Sequence, residues 1–207
     1  MKKYLILGTI ALFCMNWSTA FAGDAVGSED AKGAVQKFGN KALDITKTTG
    51  SAAESAFLVL IKEAMDVRAI CEFIFGPVWK KASDSQKDSL VRLYEDVLVV
   101  TNIKRFTEYS GATFNVKPNT VPRPKGIAVY ATIKVPNKPE IDIQLTLIQT
   151  PSGPKIVNLA VEGFVLLVNE REQWKAVIKD INEDVGEFIN KLTAHIAKIK
   201  EQNSKTS

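Results

Sequence analysis

Pro154 to Trp174 reads PKIVNLAVEGFVLLVNEREQW, and this stretch decides the fold. Val157, Leu159 and Val161 fall on one face of an extended chain, because strand side chains alternate with period two. Gly163 ends that run, where the backbone has to turn or be approached closely. Phe164 to Val168 is apolar again, and Asn169 is the N-cap candidate for a helix starting at Glu170. The stretch reads as the closing edge of a sheet that hands the chain to a helix lying across it. Everything earlier in the chain has to supply the other walls.

Working outward, the same period two holds back to Ala112. Ile141, Ile143, Leu145 and Leu147 alternate with Asp142, Gln144 and Thr146. Before the turn Pro136-Asn137-Lys138-Pro139, the residues Ile127, Val129, Ala131, Ile133 and Val135 alternate with smaller or polar ones. Thr113 to Lys117 is a first strand, and Pro118 to Pro124 is expected to be a connection, since proline cannot sit inside a ladder. This is an antiparallel meander with one apolar face and one wet face.

The residues before the meander change period. Ala34, Val35, Phe38, Ala42 and Ile45 have helical spacing, as do Ala56, Phe57, Leu60, Ile61 and Ala64. Val67 to Phe75 is a third apolar helix, stopped at Gly76-Pro77, with Val78 and Trp79 in a short turn. The longest helix is expected over Ser85 to Tyr109, capped by Ser83-Asp84. Two more helices, from Glu170 to about Asn182 and from about Asp184 to Lys200, close the chain. The class is α+β, a curved antiparallel sheet packed with an N-terminal helical part and C-terminal helices.

The N-terminus reads as an export signal. Lys2 and Lys3 form a basic n-region, Tyr4 to Met15 an apolar h-region, and Ala20-Phe21-Ala22 a cleavage signature. The apolar run is too short for a spanning helix. Residues 1–22 are thus expected to be removed near Ala22, leaving 23–207 as one domain in the periplasm. Within it the helical part covers about 30–110, the sheet about 112–168 and the last helices about 170–200. With Lys2 and Lys3 gone, the charge falls from 27 − 23 = +4 to 25 − 23 = +2. That near-neutral balance argues against nucleic acid as a partner. Cys14 goes with the signal, so Cys71 stays alone and the apolar core must hold the fold without a disulfide.

Catalytic groups are sparse. His195 is the single histidine and has no Cys, Asp or Glu at ligand spacing. Asp142 is turned away from the apolar face by alternation, and Cys71 lies in an apolar helical pattern. Neither a catalytic residue nor a metal ligand nor a cofactor is assigned, and the chain is expected not to be an enzyme. Glu162 and Arg171 flank the Gly163 corner as a candidate ion pair. What is abundant is apolar surface, more than two closed layers obviously need, which suggests a partly open apolar pocket.

Gly76-Pro77-Val78-Trp79, Ala82-Ser83, Gln86, the long helix, the meander, Val161-Glu162-Gly163 and Asn169-Glu170-Arg171-Glu172-Gln173-Trp174 together resemble the MlaC (toluene-tolerance) family. The likeness runs from about Phe38 to Leu192. The family's W-K-V-Y-D-V-x-V-E-G strand has Pro154 for its Trp and Val157-Asn158 for its Tyr-Asp, and its N-Y-R-x-Q-F helix start has Glu170 for its Tyr. The resemblance implies an NTF2-like or cystatin-like curved sheet with acyl chains held against a helical part. It implies a periplasmic phospholipid carrier working between an outer-membrane lipoprotein complex and an inner-membrane lipid transporter of the ABC type. The alternatives are an NTF2-like small-molecule enzyme, a lipid-independent adaptor of such a transporter, or a carrier of a hopanoid-like molecule. The chain shows no phosphate-binding Gly-x-x-x-x-Gly-Lys signature, so ATP work would belong to a partner.

The chemistry of carriage is simple. Each buried CH₂ is worth about 0.8 kcal/mol, so one acyl chain in water costs on the order of 10 kcal/mol. A carrier supplies a dry hollow and leaves the charged head in water. The expected lining is the alternating face, Val129, Ala131, Ile143, Leu145, Val157, Leu159 and Val161, with Trp79 and Phe164 near the rim.

Overall fold

The computed structural model describes residues 26–205. The expected export signal, 1–22, lies outside the described residues. Four helices come first: α1 (Ser28–Ile45), α2 (Gly50–Ala64), α3 (Val67–Lys81) and α4 (Asp84–Phe106), the last followed by a 3-10 turn at Thr107–Tyr109. A meander follows, β1 (Thr113–Arg123), β2 (Gly126–Lys134), β3 (Glu140–Thr150), β4 (Gly153–Val161) and the two-residue β5 (Phe164–Val165). Helices α5 (Leu166–Asp180) and α6 (Val185–Lys205) complete the α+β fold. The strands pair antiparallel in chain order, β1-β2-β3-β4-β5, in a single curved sheet.

Local chemistry sets the element ends. Asp66 accepts a hydrogen bond from the Ala69 amide at 2.9 Å and caps α3. Ser83 and Gln86 form a reciprocal capping box at the start of α4, with the Ser83 amide donating to Gln86 and the Gln86 amide to Ser83. Asp184 caps α6 through the Glu187 amide at 2.7 Å. The β4–β5 corner is a two-residue turn with Glu162 at φ 49° and Gly163 at φ 79°. Both central residues of such a turn need positive φ, which glycine adopts freely and glutamate does not. Glu162 is held there by its own partner strand. Its amide donates to the Asp142 carbonyl at 2.9 Å, and its carboxylate accepts from the Asp142 amide at 2.5 Å.

Four sequence expectations are corrected. Pro118 and Pro122 lie within β1, whose pairing to β2 shifts register between Val116 and Thr120. Strand β1 is an edge, and an edge or a bulge is where a ladder tolerates proline. The helical path breaks at Gly76 (φ 36°, ψ −96°) as expected, but Val78 and Trp79 belong to a second helical piece running to Lys81 rather than to a short turn. Helix α5 starts at Leu166 rather than Glu170, because a short apolar run does not declare its period. Leu167, Trp174 and Ile178 then share the face that meets the helical core. Glu162 and Arg171 are not brought together as a pair: Glu162 binds the Asp142 amide, and the Arg171 guanidinium lies 4.9 Å from the Phe73 ring centroid.

Two apolar cores result. One is built from helices α2 to α6 and the C-terminal end of α1, with Phe75, Tyr94 and Phe188 at its centre. The other is the inner face of the sheet, covered by α1 through Ala31 and Val35. Gly39 brings α1 onto the sheet, since a Cβ there would collide with the ring of Phe114.

Candidate functional site

The inner face of the sheet is ordered in cross-strand rows. Ile127, Leu147 and Ile156 form one row, and Val129, Leu145 and Leu159 the next. Val116, Ala131, Ile143 and Val161 form the third, and Phe114, Ile133 and Ile141 the fourth. All of these belong to the sheet core. Cross-strand neighbours on one face are the unit of packing in a sheet.

Coverage of that face is uneven. The first row is buried throughout, with Ile127 at 6%, Leu147 at 0% and Ile156 at 3% exposure. Leu159, Val116, Val161, Ile133 and Ile141 are only half-buried, so the cover fails toward the later rows and the β4 edge. Beside Ile156 of the first row, the half-buried Phe38, Ala64 and Met65 pack against both cores. The sheet core and the helical core therefore meet at a seam of half-covered aliphatic and aromatic side chains. Surface of this kind has hydrophobic free energy left to gain, about 25 cal/mol for each further Å² removed from water.

The structure distributes the expected lining residues as follows. Val129, Ala131, Ile143 and Leu145 are buried in the sheet core, and Leu159 and Val161 are half-buried at its margin. Val157 falls at a register shift, where Thr146 pairs with Asn158 but Leu147 pairs with Ile156. The bulge resets the phase, so Ile156, not Val157, joins Leu159 and Val161 in the sheet core. Trp79 belongs to the helical core, with the Arg68 guanidinium at 5.4 Å and the Lys87 ammonium at 5.9 Å from its ring. Phe164 is 69% exposed on the β5 corner. Phe38, Ala64, Met65 and Ile156 were missed. Phe38 and Ala64 were read as helical face residues, but no period in one helix says which second core it will touch.

Surface hollows border these elements, among them one of about 430 Å³ beside Met65, Thr150 and Lys155. Another, of about 170 Å³, lies between α1, α2 and the start of β4, floored by Phe38, Leu60, Ala64 and Ile156 and rimmed by Lys37, Lys41, Lys155 and Glu63. A groove of about 450 Å³ between α1 and α2 shares Lys41 and Leu60 with it. A further one, about 540 Å³, lies between α3 and α5 and is lined mainly by charged side chains such as Arg171, Lys175 and Glu183.

Titratable groups inside the fold serve packing. The Tyr94 hydroxyl donates to the Glu170 carboxylate at 2.5 Å, tying α4 to α5. Burial pushes the Glu170 carboxyl above its ordinary value, against the lowering effect of that bond. Burial likewise raises the Cys71 thiol, and the Glu95 carboxylate adds to it, which suits an inert side chain. His195 packs edge-on to Trp174 at 5.3 Å. Among the described residues no group of His, Cys, Asp and Glu could hold a metal ion, and no helix is long and apolar enough to cross a membrane.

These features define a class of scaffold, a curved antiparallel sheet with a helix on its inner face and a half-covered apolar seam against a helical bundle. The profile of the MlaC protein family matches residues 36–194, so the chain belongs to the MlaC family. Among solved structures it is similar to a phospholipid-binding protein from Ralstonia solanacearum, determined in complex with a phospholipid. The TM-score is 0.70 at 17% identity, over 83% of this chain and 99% of that one. No curated protein matches the sequence.

Proposed function

We propose that this protein is a non-enzymatic phospholipid carrier of the periplasm. It holds acyl chains at the seam between sheet and helical bundle and moves lipid between outer-membrane and inner-membrane transport complexes. The observation that carries this reading is the set of half-buried side chains Leu159, Val116, Val161, Ile133 and Ile141 at the margin of an apolar face that is otherwise buried. The complexed phospholipid of the Ralstonia protein supports it. In this reading residues 1–22 direct export and 23–207 form one mature domain. Val129, Ala131, Ile143 and Leu145 form the floor of the lipid site, and Leu159 and Val161 its movable margin.

The exposed apolar residues Phe164, Leu166 and Val168, beside the corner of the sheet, support docking to a membrane partner. Such a partner would be an ATP-driven lipid transporter or an outer-membrane lipoprotein complex. The test is mass spectrometry of chloroform extracts from protein purified without detergent. Near-stoichiometric phospholipid is expected, and a consistent absence of lipid would sink the proposal. The mass of the exported chain checks the rest: it should begin at Gly23, and retention of residues 1–22 would contradict export with cleavage.

A further inference from the structure

A carrier of the kind proposed above leaves the charged head of its lipid in water, so the mouth of the site should carry chemistry of its own. The hollow between α1, α2 and the start of β4 has that composition. Its floor is apolar, and two floor residues, Phe38 and Ala64, are among those that pack against both cores. Its rim holds Lys37, Lys41 and Lys155 against one carboxylate, Glu63, a local charge of 3 − 1 = +2. At about 170 Å³ it has room for about six waters at about 30 Å³ each, hence for one phosphate group, but it is too small for a pair of acyl chains.

Lys37 and Lys41, one turn apart on α1, and Lys155, near the start of β4, converge on Glu63. The Lys41 ammonium pairs with the Glu63 carboxylate across α1 and α2. The Lys155 ammonium donates to the Glu63 backbone carbonyl. Lys41 first, then Lys37 and Lys155, hold the Glu63 carboxyl below its usual range, so all three fields overlap at this point. An ammonium has three donors. Lys41 and Lys155 each give one to Glu63, and the others can turn to an incoming anion.

We propose that Lys37, Lys41 and Lys155 form a binding site for the phosphate group of a phospholipid, with Glu63 as the internal counter-ion that the phosphate displaces. This assignment rests on the carrier reading. It places the head at the α1–α2–β4 mouth and the acyl chains inward past Phe38 and Ala64. It also gives the mouth a resting state, in which the Lys41–Glu63 pair bridges α1 and α2 until a phosphate takes over the lysine.

The test compares two lipids with identical acyl chains, phosphatidylglycerol and diacylglycerol, offered in vesicles to the intact protein, with bound lipid counted by mass spectrometry. The variants are the triple K37Q/K41Q/K155Q and the single E63Q. The triple variant should bind phosphatidylglycerol roughly tenfold more weakly and diacylglycerol unchanged, since bonds to charged groups are worth about one such factor or more. E63Q should strengthen phosphatidylglycerol binding several-fold, an opposite sign that a damaged fold could not produce. Unchanged phosphatidylglycerol binding in the triple variant, or an equal loss of both lipids, overturns the phosphate site while leaving the carrier reading intact. Uptake of neither lipid by the natural protein removes both. Titration of inorganic phosphate, followed by phosphorus NMR, separates the two sources of this chemistry. Weak binding lost in the triple variant supports a lipid head, and binding as tight as the lipid's assigns the site to free phosphate and overturns the proposal.

Discussion

The two cores of this protein are built differently, and under the proposed function the difference separates holding the fold from holding a guest. In the helical core four rings interlock edge to face. Phe75 stands 5.7 Å from Tyr94, 4.9 Å from Phe188 and 6.3 Å from Trp174, and Trp174 stands 5.5 Å from Phe188. Rings so arranged have little freedom to part, and each pair adds about 0.5–1.5 kcal/mol beyond its buried area. In the sheet core the side chains are mainly aliphatic, α1 supplies most of the cover with Ala64 and Met65 at its side, and the margin is half open. Aliphatic side chains impose no ring geometry on what packs against them. The aromatic core can be rigid because nothing has to enter it.

The comparison breaks most visibly at its rigid end. Phe75→Ala should cost about 3–5 kcal/mol, the usual price of deleting a fully buried ring, read as a lower denaturation midpoint. A loss under about 1 kcal/mol would mean that the ring cluster does not hold the helices. Gly39→Val comes next, at about 1–3 kcal/mol, because its side chain must displace the Phe114 ring and lift α1 from the sheet. Chemical denaturation reads this effect, and an unchanged midpoint would mean that α1 can shift freely over the sheet.

At the open margin stability and binding should part. Val161→Trp adds bulk to a half-buried position. It should change stability by less than about 1 kcal/mol yet lower bound lipid several-fold in the extraction assay. If lipid content stays the same, the seam at Val161 is not the path of the chains. The smallest effect concerns pH. Folded, Glu170 has its pKa raised above 4.5 by burial. Above pH 4.5 the folded chain therefore keeps a proton that the unfolded chain has released, and stability falls as pH rises through the raised value. Glu170→Gln should flatten the melting temperature between pH 4.5 and neutrality. A slope as steep as in the natural protein would remove Glu170 from the account.

Much of the sheet core was legible in advance. Val129, Ala131, Ile143 and Leu145 were placed by alternation alone, because strands with one buried face must write that face into every second residue. Val157 was misphased, since a bulge inserts a residue without a compositional mark. Trp79 was set near a rim because an aromatic next to a Gly-Pro break looks like a loop. The helix resumes after Gly76, and Trp79 is buried in the helical core. The start of α5 was missed for a related reason: Phe164 to Val168 is apolar at every position, so neither period can be read from it.

The sequence by itself determined the order of helical stretches and of an antiparallel meander, and that the meander has one apolar face. Those are consequences of periodicity, which is local. Only the tertiary structure decided that α1 covers part of that face, that Leu159 and Val161 stay half-covered, and that Lys37, Lys41 and Lys155 gather around Glu63. These outcomes depend on where helices of fixed length come to rest on a sheet of a given curvature. Such a sum over many weak, distant contacts is not written at any one position in the chain.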